Sequence, residues 1–592
     1  MPNGILIRSR VTGIQLPNWT PNGIPNGPAD IATFGLSNTT NVSISANIEV
    51  NSIIFTAAAT NPYTITTGLG VTLTIRGAGI INNSGMVQHF VTSGGGQFGE
   101  INFTNSATAG NSTAFINNHG TGFVGGGNTL FFDTSSAGHA TFINKSGTVG
   151  GLFQGFTEFF DSSSAGNGTF TNEGSTIPNI GDPGEITFND TSSAANATIT
   201  NNGAAGGVIG GITFFNNSST AASATIINNG DTMSGAFGSR TVFSGSSGAD
   251  SATITNNGGT ASGATGGQTI FGDAASADSA TLIANGGING GLGGTILFAD
   301  QSTGGTARIE VFGNGNLDIS FMSLRHNSER GVTVGSIEGD GNIFLGKKNL
   351  TVGSNDLSTS FAGEIQDGGR NGGTGGLLTK IGTGTLILSG ASSYTGTTDV
   401  LQGTLQVDGS INSDTTVHNR GTFAGTGTVH GNVTTNNWGT VIPGGALGVP
   451  GELTIVHNYT QAQYARLMIQ IAGASPGQFS ALNVLGTANL SGYLKPILLD
   501  GFVPTVGESF TFLNYGALNG SLSVFNPNIA NEPQHWVINY FSTYATLTVA
   551  SGNVAVSDNG STFLLMTLGL LCLAIFRRKL LRSHGNASSQ DK

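Results

Sequence analysis

The sequence predicts an all-β protein. The expected fold is an elongated, right-handed parallel β-solenoid (a β-helix) with coils of about 28 residues in its repeat region, plus one short C-terminal transmembrane helix. Two interleaved ladders and the composition between them carry that prediction. Across Gly99–Gly313 the phrase ATFIN at Ala140–Asn144 returns as GTFTN at Gly168–Asn172, ATITN at Ala197–Asn201 and ATIIN at Ala224–Asn228. Its central apolar residue falls at Phe115, Phe142, Phe170, Ile199, Ile226, Ile254, Leu282 and Ile309, always 27 to 29 residues apart. A second phrase precedes each copy, as in TLFFD, TEFFD, ITFND and ITFFN. It yields a second apolar ladder, read at Phe132, Phe160, Phe188, Phe215, Phe243, Phe271 and Phe298, with Phe103 opening the series.

Each phrase is short, rich in Thr, Phe, Ile and Val, and alternates in polarity, which is strand spelling. The runs between phrases, such as GGTASGATGG and DTSSAGHA, have turn and loop composition. One such unit cannot bury a core alone. Stacked as a solenoid coil, each strand pairs with its copy one coil on, and equivalent side chains pile up inside. A propeller also repeats, but its blades need about 40 residues.

Asn117, Asn144, Asn172, Asn201, Asn228 and Asn256 lie two residues beyond the apolar anchor, so they face the same side. A buried Asn needs partners, and the same Asn one rung away supplies them. The next two copies have Ala284 and Val311 there, so the Asn ladder should end at Asn256.

Composition agrees. Charged residues make up 9% of the chain, against about 25% in ordinary domains. The outer surface is therefore expected to be Ser, Thr, Asn and Gly. The net charge is -12, and the few Lys and Arg are scattered apart from one C-terminal cluster, so no nucleic-acid partner is expected. The single cysteine, Cys572, excludes a disulfide framework.

In chain order, residues 1–98 read as an N-terminal β-rich cap and first coils. Met1–Gly13 has no apolar signal segment, so an export signal is expected upstream of Met1. Trp19 is expected to cover the open end of the stack, where edge strands invite pairing. Residues 99–313 are the solenoid of about eight repeats, and 314–374 continue it irregularly. Residues 375–460, 461–550 and 551–592 follow as three further regions.

The first of these carries a resemblance. LTKIGTGTLILSG, SYTGTTDV and GTLQV, within Gly375–Val407, resemble the autotransporter-associated β-strand repeat of passenger regions in exported bacterial surface proteins. Passenger-like sequence extends over roughly Ser336–Phe525, including a C-terminal β region at 461–550. The resemblance implies an exported structural or adhesion rod at the cell surface, or secreted, in a Gram-negative-type bacterium. Only about 70 residues follow Phe525, without the alternating strands of an outer-membrane barrel.

The tail at 551–592 supplies another sorting route. Val556, Ser557, Asp558, Asn559, Gly560, Ser561 and Thr562 precede an apolar run, Phe563–Phe576, and then Arg577, Arg578, Lys579 and Arg582. The basic cluster predicts a cytoplasmic C-terminus. This order is similar to PEP-CTERM sorting tails of the VPDSG type. It implies an exosortase-type processing enzyme as partner and an inner-membrane anchor before processing.

A β-helix enzyme acting on polysaccharide, as a lyase or hydrolase, needs carboxylates and bases converging on one groove. Asp133, Asp161 and Asp190 are spaced to stack on one edge, each just after a strand, where Asp closes turns. They are the only metal candidates, for calcium; otherwise no metal or cofactor is expected. His89, His119 and His139 show no metal-ligand spacing. Lys347 and Lys348 read as a lone loop pair. The expectation is a non-enzymatic surface or secreted rod, with an extracellular glycan or matrix as its outside partner. A carbohydrate-active enzyme and an inert matrix or biofilm scaffold are the alternatives.

Overall fold

The computed structural model describes residues 3–5, 24–95, 97–120, 125–147, 153–176, 182–206, 208–322, 331–445, 448–530 and 532–554. The chain winds as a parallel β-solenoid of about 27 residues per coil. Through the repeats each coil gives one strand to each of two sheets. The first sheet includes Glu100–Phe103, Asn128–Phe131, Phe156–Phe159, Glu185–Phe188 and Ile212–Phe215. The second includes Thr113–Asn117, Thr141–Asn144, Thr169–Asn172 and Thr198–Asn201. Every pairing is with the equivalent strand one coil away. Among the described residues the second sheet is a ladder of twenty strands, from Asn41–Ile44 to Ser523–Val524.

The second-sheet anchors stack as the spacing predicts. Phe115 pairs with Phe142, Phe142 with Phe170, Phe170 with Ile199, and so on to Ile309. The first-sheet ladder differs by one residue in two coils. Phe103 pairs with Phe131, Phe131 with Phe159 and Phe159 with Phe188. Phe131 and Phe159 are fully buried, whereas Phe132 and Phe160 are half-buried and stack on each other outside at 5.1 Å. The reason is the pleat. In TLFF the inward positions are Thr129 and Phe131, so the second Phe of each doublet must face out. From Phe188 to Phe298 the ladder is the expected one, with rings 4.7 to 5.0 Å apart.

The two Phe columns also touch across the core. Phe131 meets Phe142 edge-on at 5.9 Å, and Phe159 meets Phe170 the same way at 5.9 Å. Each buried Phe contributes about 2–3 kcal/mol of transfer free energy, and the offset rings fix the register.

Beyond the first sheet the chain turns a corner lined with small residues. Ala137, Ala165, Ala194, Ala221 and Ala249 form one fully buried column. A one-residue bridge ladder, Ser136 to Ser164 to Ser193, closes that corner. The return to the first sheet uses glycine because the backbone passes against the Asn column. A Cβ on Gly155 would lie 2.0 Å from the Asn117 carbonyl oxygen.

From Val332 on the cross-section changes. A third sheet appears, with strands such as Leu377–Lys380, Thr398–Val400, Thr415–Val417 and Val433–Thr435. Coils shorten here, since Thr398 pairs with Thr415 and Thr415 with Val433. Lys348 lies on the loop before Asn349–Val352, as expected, but is buried there. At the C-terminal end the long strand Ser509–Gly520 pairs antiparallel with Tyr544–Ser551, which pairs antiparallel with Gln534–Tyr540. This sheet covers the last coil, with Trp536 packed edge-on against Phe510, and removes an open strand edge.

Among the described residues no helix is long and apolar enough to cross a membrane. Trp19, the run Phe563–Phe576, the motif Val556–Thr562 and Arg577, Arg578, Lys579 and Arg582 lie outside the described residues.

Candidate functional site

The repeat coils carry their polar chemistry as ladders. The six Asn side chains are fully buried. Asn117 Nδ2 donates to Asn144 Oδ1 at 2.8 Å, Asn144 to Asn172 at 2.7 Å and Asn172 to Asn201 at 2.7 Å. Asn201 donates to Asn228, and Asn228 to Asn256, both at 2.8 Å. Thr hydroxyls on the first sheet tie the two sheets together. Thr129 donates to Asn117 Oδ1, Thr157 to Asn144, Thr213 to Asn201, Thr241 to Asn228 and Thr269 to Asn256. At the top Ala284 replaces Asn, and Asn256 Nδ2 is left buried without a hydrogen-bond partner. Such an orphan costs about 1–3 kcal/mol, offset by the amide bonds below it.

Asp133, Asp161 and Asp190 stack on one edge, each in the left-handed conformation, with φ of 57°, 55° and 56°. Asp133 Oδ2 accepts the Asn105 N–H at 2.7 Å, and Asp161 Oδ2 accepts that of Asp133 at 3.0 Å. Asp190 Oδ2 accepts that of Asp161 at 3.1 Å. Further along, this corner is occupied by Asn217, Gly245, Asp273 and Asp300, all at positive φ. Among the described residues no three His, Cys, Asp or Glu side chains are grouped to hold a metal ion. His139 lies beside Asn167 at 3.4 Å on the exposed side.

Three arrangements were not foreseen from the sequence. On the outer face of the first sheet, burial and the nearby Glu185 push the Glu158 carboxyl up to about 7. Burial also raises Glu185, although it accepts hydrogen bonds from Thr187 at 3.0 Å and Gln154 at 3.1 Å. Asp182 is raised by burial as well, and Arg240 is lowered by it.

Lys380 turns inward in the third sheet, 1% exposed, in a column between Val352 and Val400. Its Nζ donates to the carbonyls of Ile381 at 2.5 Å and Gly382 at 3.1 Å. Burial pulls its pKa down to about 8, against the opposing pull of Asp356. The alternation of LLTK signals that inward direction, but nothing in the sequence names its carbonyl partners.

The third arrangement is an aromatic corner. Trp438 and Tyr464 occupy the same corner of successive coils, with centroids 5.3 Å apart and planes 9° from parallel. Half of Trp438 and 40% of Tyr464 remain exposed. The Arg466 guanidinium sits 5.9 Å from the Trp438 ring and 5.8 Å from that of Phe525. An open cleft of about 500 Å³ adjoins them, walled by Asn419, Arg420, Gly421, Thr422, Trp438 and Thr440 together with Arg466.

Fold and surface together define a repeat-built parallel β-solenoid whose polar groups are largely committed to ladders. Residues 378–407 match the passenger-associated-transport-repeat family. The matched stretch spans Lys380, the buried Tyr394, whose hydroxyl bonds Thr398 at 2.5 Å, and Gly403, held at φ 68°. This match and the β-solenoid fit an autotransporter-associated repeat protein. No curated protein matches the chain.

Proposed function

We propose that this chain is an exported rod, displayed on a Gram-negative-type bacterial surface or released from it, that works as a structural or adhesive element. The carrying observation is the unbroken parallel ladder from Asn41–Ile44 to Ser523–Val524, which includes the passenger-associated repeat. Such a ladder grows by adding coils and needs no second domain to close its core. An extended body with few charged residues suits a task of reach and display.

Sorting is assigned to the tail. Val556–Thr562, the apolar run after it and Arg577–Arg582 form an exosortase-type signal that anchors the precursor with its C-terminus in the cytoplasm. An exosortase-type enzyme is the processing partner. The chain acts without catalysis and without a required metal or cofactor. In support, Asp133, Asp161 and Asp190, the enzyme reading's best carboxylates, each bind a neighbouring coil's backbone N–H. The outside partner is a glycan or matrix polymer.

Protease shaving of intact cells tests this reading. The rod should be cut from the surface of cells expressing the chain from its native gene with the upstream sequence included, and retained inside cells whose chain lacks 556–592. Protection from protease in intact cells carrying the full chain would overturn it.

A further inference from the structure

We propose that the cleft between Arg420 and Arg466 binds an anionic polysaccharide, with a uronate ring packed against Trp438. Three independent features of the corner point there. The first is exposure: Trp438 is 50% exposed, although both Tyr464 and the Arg466 guanidinium reach its ring from the following coil. The cleft wall Asn419–Thr422 belongs to the coil on the opposite side, because Thr422 pairs with Thr440 and Thr440 with Arg466. The indole therefore stands between its stacking partner and an open cleft. Aromatic rings with one wet side are suited to the apolar C–H face of a sugar.

The second feature is backbone strain. Arg420 and Trp438 hold φ of 75° and 68°. Elsewhere along the rod positive φ falls to Gly, Asp and Asn, which adopt it easily, and to the small residues Ser112, Ala195 and Ala222; Arg420 and Trp438 are the large side chains held there among the described residues. A bulky aromatic placed there is sterically costly, and its ring makes no core contact in return.

The third is unpaired charge. Arg76, Lys145 and Arg308 each have a carboxylate partner. Among the described residues, neither Arg420 nor Arg466 has one. On a chain of net charge -12, two guanidiniums without a carboxylate partner lining one cleft form a local anion site, Arg466 being held there against the Trp438 and Phe525 rings. A planar guanidinium matches a carboxylate in a bidentate way. Asn419, Thr422 and Thr440 supply polar groups suited to ring hydroxyls.

The assignment names the site and ligand class for the display function proposed above, and rests on that reading only for its biological setting. Binding by the purified full chain and surface display of the chain are separate measurements, so either can fail alone. The test is titration of the full chain with oligogalacturonate, a pure polyuronate, and with a neutral linear β-glucan of equal length.

The polyuronate should bind, and weaken as salt rises. Trp438→Gly removes the ring and relieves the strained φ, so it should fold at least as well as the parent and bind about tenfold or more weakly. Arg420→Gln should weaken polyuronate binding several-fold, roughly threefold to tenfold. Arg76→Gln, far along the rod, should leave binding unchanged. Absence of polyuronate binding, equal binding of the neutral glucan, or binding indifferent to Trp438→Gly and Arg420→Gln in folded protein would each overturn the assignment.

Discussion

The ring of Phe131 lies 4.6 Å from that of Phe159, only 7° from parallel, inside the rod. Their neighbours Phe132 and Phe160 make a second stack outside it. Adjacent residues of one type thus have different energetic weights. Phe159→Ala should cost about 3–5 kcal/mol, because it opens a cavity in a dry column. Phe160→Ala should cost about 1 kcal/mol or less, since that ring is already partly wet. Solenoid stability is nearest-neighbour in character, so damage from Phe159→Ala should centre on its own and adjoining coils. Hydrogen exchange by mass spectrometry checks both points; equal loss for the two variants would refute the register.

Repetition explains how much of this was legible. Eight copies of one coil reveal period, partners and the Asn column because each copy votes on the same alignment. The doublets at Phe131–Phe132 and Phe159–Phe160 break that vote, since either Phe satisfies a period near 28. The companion ladder resolves it: Phe131 precedes Phe142 by 11 residues, as Phe188 precedes Ile199. The aromatic corner was not legible. Trp438 and Tyr464 lie where coil length changes, so no fixed spacing pairs them. Glu158 reads as an outward strand residue, and only the packed structure shows that it is largely removed from water.

The Asn ladder predicts unequal costs for one substitution. Asn172 Nδ2 donates to Asn201 and to the Ile212 carbonyl, and its Oδ1 accepts from Asn144. Asn172→Ala should cost about 2–3 kcal/mol by orphaning buried groups on both sides. Asn256 already has an unpartnered Nδ2, so Asn256→Ala should cost about 1 kcal/mol less. Urea melts of the two variants decide it, and a larger loss at Asn256 would contradict the ladder's polarity.

Glu158 predicts a pH response. Its folded pKa is raised to about 7 from an ordinary 4.5. A raised acid binds its proton more tightly folded than unfolded. Stability from this group is therefore complete below about 4.5 and is lost as pH rises through about 7. Glu185 and Asp182 are shifted in the same direction and add to the loss, while Arg240 opposes it at Glu185. Local hydrogen exchange around Phe156–Phe159 and Glu185–Phe188 should quicken between pH 5 and pH 8 beyond its intrinsic base dependence. Glu158→Gln should flatten most of that change.

The Asp edge distinguishes turn closure from calcium binding. Asp161 sits at φ 55°, accepts the Asp133 N–H and donates its own to Asp190. Asn keeps both the acceptor oxygen and the left-handed preference. It also removes one of three like charges stacked about 4.8 Å apart. Asp161→Asn should therefore be neutral or slightly stabilising, by under about 0.5 kcal/mol. Asp161→Ala loses the acceptor and meets steric strain, at about 1–2 kcal/mol. Asp161→Gly should fall between them, since it keeps the backbone and loses the bond. A calcium site would reverse the first expectation, because Asn would give up a charged ligand. The Tm in chelator should equal the Tm in millimolar calcium; a rise with calcium that Asp161→Asn abolishes would show that the edge is an ion site.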